Sequence, residues 1–298
     1  MMQSDKFFTL SNDMMFATVL AAQPDLAKEI LEIVLDISID HVVCVNAQKI
    51  LNYSLDTKYV RLDVFTKDES GIVYDMEIQT KNELKEFLPR RARYYASAAD
   101  TEIYGPGTTY SKMKDTVIIF ICLFDPFDKG RIKYTGKTVC LEDPEVMIND
   151  GMKQVYLDAK SYIQKNAGIS PELASLLNYI GGKDYDPTPL TIAFQKEVEK
   201  YNRDKRWRQR AMIIEANRLE LEELGRKKGL EEGLEEGRKE GRKEGRKLGR
   251  NEGKEEEREI IAFKMAEDGK DDQEILHYVQ WTKEKLAEKK KEWKENRA

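Results

Sequence analysis

The residues of this chain best suited to chemistry are carboxylates. Asp63 stands in Arg61-Leu62-Asp63-Val64, and Glu77 and Gln79 stand in Tyr74-Asp75-Met76-Glu77-Ile78-Gln79. Both segments have the β-branched and aromatic composition of strands, and the polar run Lys67-Asp68-Glu69-Ser70-Gly71 between them reads as a turn. Side chains alternate across a strand, so Glu77 and Gln79 share a face, as do Arg61, Asp63 and Phe65. A hairpin centred on Ser70 sets Asp63 opposite Glu77. Cross-strand neighbours have Cβ atoms about 4.5 to 5.5 Å apart, where two carboxylates repel unless a cation or a proton intervenes. A hard divalent ion resolves that conflict. Mg2+ takes one or two carboxylates, keeps several waters and accepts a phosphate, which suits phosphodiester cleavage by a metal-activated water. Gln79 can orient such a water by hydrogen bonding but supplies no positive charge.

Competing chemistries have little to work with. His41 and His277 are the only two histidines, and both read as structural, which removes a histidine metal site and a Ser-His-Asp triad. Gly105-Pro106-Gly107-Thr108-Thr109 has no following lysine and ends a helix where a phosphate loop begins one, so it reads as a turn. Cations do flank the acids. Lys58 precedes Asp63, and Leu88-Pro89-Arg90-Arg91-Ala92-Arg93-Tyr94-Tyr95 sets three arginines and two tyrosines at the start of the next helix, a phosphate cradle. The alternative role of those arginines is charge balance.

Positioning these groups requires a mixed body of strands and helices. Ser11-Asn12-Asp13 caps an amphipathic helix, and Pro24 opens a second. His41 to Val45, Tyr59 to Phe65 and Ile72 to Ile78 read as strands, Leu84 to Tyr104 as a helix, Val117 to Phe124 as a strand buried on both faces, and Lys133 to Leu141 as a more exposed one. The three cysteines lie far apart with no CxxC, and the longest apolar run falls well short of the roughly 20 residues that span a bilayer, so the chain reads as cytoplasmic with no membrane partner.

Charge divides the chain. Residues 201–298 hold 27 Lys+Arg and 25 Asp+Glu, which leaves 23 against 30 in the first 200 residues, so the body is acidic and bulk charge does not announce nucleic acid. The basic cluster Arg203, Lys205, Arg206, Arg208 and Arg210 opens the tail helix or adds DNA contacts. Glycines then recur at every fourth position from Gly225 to Gly253. At about 100° per residue that step drifts by roughly 40°, so the glycines wind around a helix and make a poor packing stripe. Each costs about 1 kcal/mol against Ala, which predicts a marginal, solvated helix. Ile260, Ile261 and Met265 then form a helix ending at Gly269, and Asp271-Asp272 cap another carrying Ile275, Val279 and Leu286. The expected domains are 1–200, a charged glycine-repeat tract over 201–257, and a small helix-turn-helix-like unit over 258–298.

In this order the residues resemble the recombination-promoting nuclease / putative transposase family of the PD-(D/E)XK superfamily. Besides Asp63 and Glu77-Ile78-Gln79, the resemblance rests on Asn12-Asp13-Met14-Met15-Phe16, the Leu88 to Tyr95 run, Phe124-Asp125-Pro126-Phe127, Asn149-Asp150-Gly151, Tyr156-Leu157-Asp158-Ala159-Lys160, the glycine tract and the closing helices. It implies an α/β fold with a restriction-endonuclease-like core, a mixed sheet flanked by helices, together with Mg2+-dependent DNA endonuclease activity linked to recombination or mobile elements. It implies metal ligation by Asp63 and Glu77, and it puts Gln79 where the wider superfamily has Lys. The lost cation is then left to Lys58 or Lys81. Asp13 matches a family position associated with metal binding, with helix capping as its other reading, and Ala17 stands where the family often has Lys. Arg90, Arg91 and Arg93 steady the DNA backbone. A second class of function is a catalytically inactive binding or scaffolding protein that forms homo-oligomers through its charged tail.

Overall fold

The computed structural model of the chain describes residues 7–51, 60–160 and 168–295, which fall into two compact units, Met1–Ile213 and Ile214–Ala298. In the first unit, α1 (Asp13–Ala22) starts behind Asn12, whose side chain accepts from the Met15 backbone N–H, and α2 (Pro24–Leu35) starts on a proline that has no N–H to leave unbonded. β1 (Val42–Leu51), β2 (Val60–Asp68) and β3 (Val73–Gln79) follow as an antiparallel meander. A 3-10 segment, Asn82–Phe87, leads into α3 (Leu88–Ile103). Then come β4 (Thr116–Cys122), β5 (Lys133–Gly136), β6 (Met152–Asp158), α4 (Pro171–Ile180), α5 (Pro189–Arg203) and α6 (Lys205–Glu267). The sheet order is β1-β2-β3-β4-β6-β5, with β3, β4 and β6 parallel and the other pairs antiparallel. This is the expected α/β architecture, a mixed sheet flanked by helices.

Strand alternation separates two faces. Val64, Met76, Ile78, Ile119, Ile121 and Leu157 join the main core with residues of α1, α2, α4 and α5. Phe65, Val73, Ile118, Phe120 and Tyr156 lie on the opposite face, against alanines of α3. All seven residues of β4 are buried, because parallel neighbours flank it and helices cover both faces. The expected strand over Lys133 to Leu141 ends at Gly136, after which Val139 makes an isolated bridge with Met147. β6, α4 and α5 have no counterpart in the sequence reading.

Two local features fix the geometry. Asp68 closes the β2–β3 turn, with Oδ1 accepting from the Ser70 hydroxyl at 2.7 Å and the Ile72 N–H at 3.0 Å, and Oδ2 accepting from the Tyr74 hydroxyl at 2.8 Å. Gly71 completes the turn at φ +89°, where a Cβ would be strained. At the end of α4 the chain meets the end of β6 so closely that a Cβ on Gly181 would stand 2.1 Å from the Ala159 carbonyl oxygen.

In the second unit the residues of α6 continue helically through the glycine tract, as expected, and a Cβ on any of its eight glycines would meet nothing within 4 Å. Exposed i,i+4 pairs such as Lys227–Glu223 at 2.9 Å and Lys239–Glu235 at 2.6 Å line this stretch, each worth only a few tenths of a kcal/mol, roughly. α7 (Asp272–Val279) is capped by Asp271 and ends at Gln280 in the left-handed conformation, and α8 (Lys283–Glu295) follows. Leu286 is therefore not on the helix of Ile275 and Val279, as the sequence suggests, but on α8. All three pack with Ala262 and Trp281 in one small core. Among the described residues no helix is long and apolar enough to cross a membrane.

Candidate active site

The β2–β3 ladder runs from Lys67↔Val73 to Val64↔Met76, symmetric about Ser70, so Asp63 and Glu77 are the next positions along the two strands. Phe65 and Asp75 are paired directly. Alternation from Val73 carries Asp75, Glu77 and Gln79 to the face covered by α3, and the Asp63 charge acts on both Asp75 and Arg91. The three acids are buried, at 6%, 0% and 2% exposure. Three buried carboxylates demand compensation, because burial disfavours the charged form.

Part of that compensation is Arg91. It sits on the first turns of α3, which starts at Leu88 because Pro89 is tolerated only in a first turn. Its Nη2 donates to Glu77 Oε2 at 2.8 Å and to the Tyr95 hydroxyl at 2.9 Å, and its Nη1 donates to Gln79 Oε1 at 2.7 Å. The Gln79 amide closes the mesh by donating from Nε2 to Glu77 Oε2 at 3.1 Å. The guanidinium also stands 5.3 Å from the Tyr95 ring centre and 5.4 Å from that of Phe120. Burial opposes the Arg91 charge, but Glu77, followed by Tyr95 and Asp63, outweighs it, so the pKa is raised and the cation is secure. Burial and then the Glu77 charge push the Tyr95 hydroxyl up to about 12.

Asp75 is compensated differently. Neither of its carboxyl oxygens has a hydrogen-bond partner among the described residues. Burial first, and the Asp63 charge second, hold it well above the ordinary carboxylate range, against the pull of Arg91. A proton or a bound cation answers that position, and the donors around it are all hard oxygens, the set that suits Mg2+. Among the described residues no group of three or more His, Cys, Asp or Glu side chains is arranged to hold a metal ion. Two carboxylates suffice for an ion that keeps several waters, so Asp63 and Glu77 remain candidate ligands.

The remaining candidates disperse. Arg90 and Arg93 are exposed on α3, Arg90 lying over the Phe87 ring at 5.9 Å. Arg91, grouped with them in the sequence reading, turns inward to the acids. Asp13 opens α1, with Oδ1 accepting from the Met14 N–H at 2.9 Å. Lys81 is exposed, and Lys58 lies outside the described residues. Arg203 pairs with Glu199 at 3.0 Å, and Arg208 stacks 5.7 Å from the Phe7 ring. His41 Nδ1 lies 2.8 Å from Glu69 Oε2 at the surface.

Sequence reasoning passed over Asp75, although the two-residue step that joins Glu77 to Gln79 also joins Asp75 to Glu77. It also missed the inward role of Arg91, for which the signal was its i,i+4 spacing to Tyr95. A family model described as PD-(D/E)XK nuclease family transposase matches residues 10–207. No curated protein and no solved structure matches.

Proposed function

The chain belongs to the PD-(D/E)XK nuclease family transposases, and from that membership we propose a metal-dependent endonuclease that hydrolyses DNA phosphodiester bonds in recombination or transposition. The observation that carries this reading is the burial of Asp63, Asp75 and Glu77 in a single hairpin, with both Asp75 oxygens lacking a hydrogen-bond partner among the described residues. Buried carboxylates are costly, and a bound cation would offset the part of that cost that Arg91 leaves.

Asp63 and Glu77 would hold Mg2+ or another divalent cation, which when bound would supply Lewis acidity and make a bound water more acidic than bulk water. Gln79 has Oε1 turned to Arg91 and retains a second lone pair with which to accept from the attacking water. Arg90 and Arg93 take the DNA backbone on the exposed side of α3.

Plasmid nicking tests the proposal. The wild type relaxes supercoiled DNA with Mg2+ and not with EDTA, and Asp63→Ala and Glu77→Ala each fall to background. Cleavage that persists in both variants removes the reading. A wild type that shows no Mg2+-dependent cleavage but forms concentration-dependent oligomers that vanish when residues 222–298 are removed identifies the inactive scaffold instead.

A further inference from the structure

The strand motif of this site carries an uncharged amide, Gln79, two residues after Glu77. A positive charge reaches Glu77 from a different element, α3, through Arg91. The guanidinium makes three hydrogen bonds there, to Glu77, Gln79 and Tyr95, and is flanked by the rings of Tyr95 and Phe120. A surface clamp for DNA has no need of such restraint, and Arg90 and Arg93, which face solvent, do not show it.

We propose that Arg91 is the positioning residue of the reaction centre: its guanidinium supplies the fixed positive charge absent at Gln79 and holds Glu77 and Gln79 in the arrangement that catalysis requires. The inference rests on the endonuclease reading above. An amide side chain has a donor end and an acceptor end, and a half-turn about its last bond exchanges them. Arg91 carries donors only, so the end of Gln79 that meets it must be Oε1, which leaves Nε2 for Glu77. The water-facing lone pair of Gln79 is therefore present because Arg91 dictates the orientation. A guanidinium stays protonated at any working pH, so Arg91 acts by charge and geometry and takes no proton from the water. The planar fork matters as well, since an ammonium is a point charge that cannot bond Glu77 and Gln79 with the same two-pronged geometry.

The test compares full-length wild type, Arg91→Lys, Arg91→Met, Arg91→Ala and the double variant Arg90→Ala/Arg93→Ala. Calorimetric titration with Mn2+, without DNA, reads the acids directly. Removing the guanidinium frees Glu77, so Arg91→Met binds Mn2+ at least about fivefold tighter than the wild type. With Mg2+ and saturating plasmid, kcat of Arg91→Met falls roughly 100-fold, in the range of a lost electrostatic donor. Its DNA affinity, measured in Ca2+, stays within about threefold, since the residue does not contact the backbone. Arg91→Lys recovers part of kcat, and guanidinium ion added at constant ionic strength recovers part of it for Arg91→Ala. The Arg90→Ala/Arg93→Ala protein shows the contrasting pattern, a weaker DNA affinity. Thermal melting identifies any variant that fails to fold, and Arg91→Lys, which keeps the charge, carries the comparison if Arg91→Met is lost. Unchanged Mn2+ affinity with wild-type kcat in Arg91→Met overturns the proposal, as does a defect confined to DNA affinity. Failure of the endonuclease reading looks different, because it appears in the unmutated protein: cleavage is absent, or Asp63→Ala cuts as well as wild type. If the wild type binds Mn2+ but does not cut, the titration alone still decides the role of Arg91. If no protein binds Mn2+, both readings fall together.

Discussion

Arg91 Nη2 lies 2.8 Å from Glu77 Oε2, and the carboxylate it meets is almost wholly buried while the guanidinium keeps one edge in solvent. Removing one partner of a fully buried pair costs about 3–5 kcal/mol, and the open edge of Arg91 brings the expectation here to about 2–3 kcal/mol. Glu77→Gln and Arg91→Met should each destabilise the metal-free protein by that amount, and the double variant by less than their sum. Urea denaturation in EDTA measures the cycle. Additive losses mean that the pair is not coupled.

Asp75 gives a pH signature. Its folded pKa is raised, so its contribution to stability is fully present below the ordinary carboxyl value of 3.8 and is lost as pH climbs toward the folded value. The loss runs at about 1.4 kcal/mol per pH unit within that window. Asp75→Asn, which cannot ionise, should show a flatter stability curve from pH 4 to neutrality in divalent-free buffer. Parallel curves would remove the assignment.

At the alkaline end the same sign applies to thiols and phenols. Burial, and then Asp158, push Cys122 up to about 12 from an ordinary 9.0, burial and then Glu77 push Tyr95 up to about 12, and burial first raises Tyr74 and Tyr156 as well. Unfolded chains ionise these groups first, so stability should decline above about pH 9, by about 1.4 kcal/mol per pH unit for each group in its window. Peptide-resolved alkylation at pH 9 should label the half-buried Cys140 and spare Cys122. Equal labelling would contradict the burial of Cys122.

Two glycines make opposed predictions. Gly181→Ala forces a Cβ onto the Ala159 carbonyl and should cost about 1–3 kcal/mol or more, lowering the melting temperature of the first unit. Gly237→Ala adds a methyl in open space within α6 and should stabilise the helix by about 1 kcal/mol, read as slower proteolysis of the tract in the full chain. A penalty at Gly237 would reveal a close contact there.

The hairpin register was legible because a short polar turn between two strand-like runs leaves one centre, and the observed ladder is symmetric about Ser70. β4 was legible too, since only a strand covered on both faces tolerates an unbroken apolar run. β6 was not, because Met152, Lys153 and Gln154 dilute its pattern and its partner, β4, is remote in sequence. Arg91 escaped for a tertiary reason. Its neighbours Arg90 and Arg93 face water as a charged helix surface should, and only the acids beneath α3 distinguish the one between them.

The three bonds to Asp68 reach beyond the turn they close. While that carboxylate holds Ser70, Ile72 and Tyr74, the bend cannot take up an inserted residue, which would be handed on to β3 instead. Every side chain of β3 would then exchange sides, sending Glu77 and Gln79 into the oily layer beneath α1 and Met76 toward α3. The length of this bend is accordingly as intolerant of change as the identity of the acids, and so are Asp68 and Gly71 that shape it.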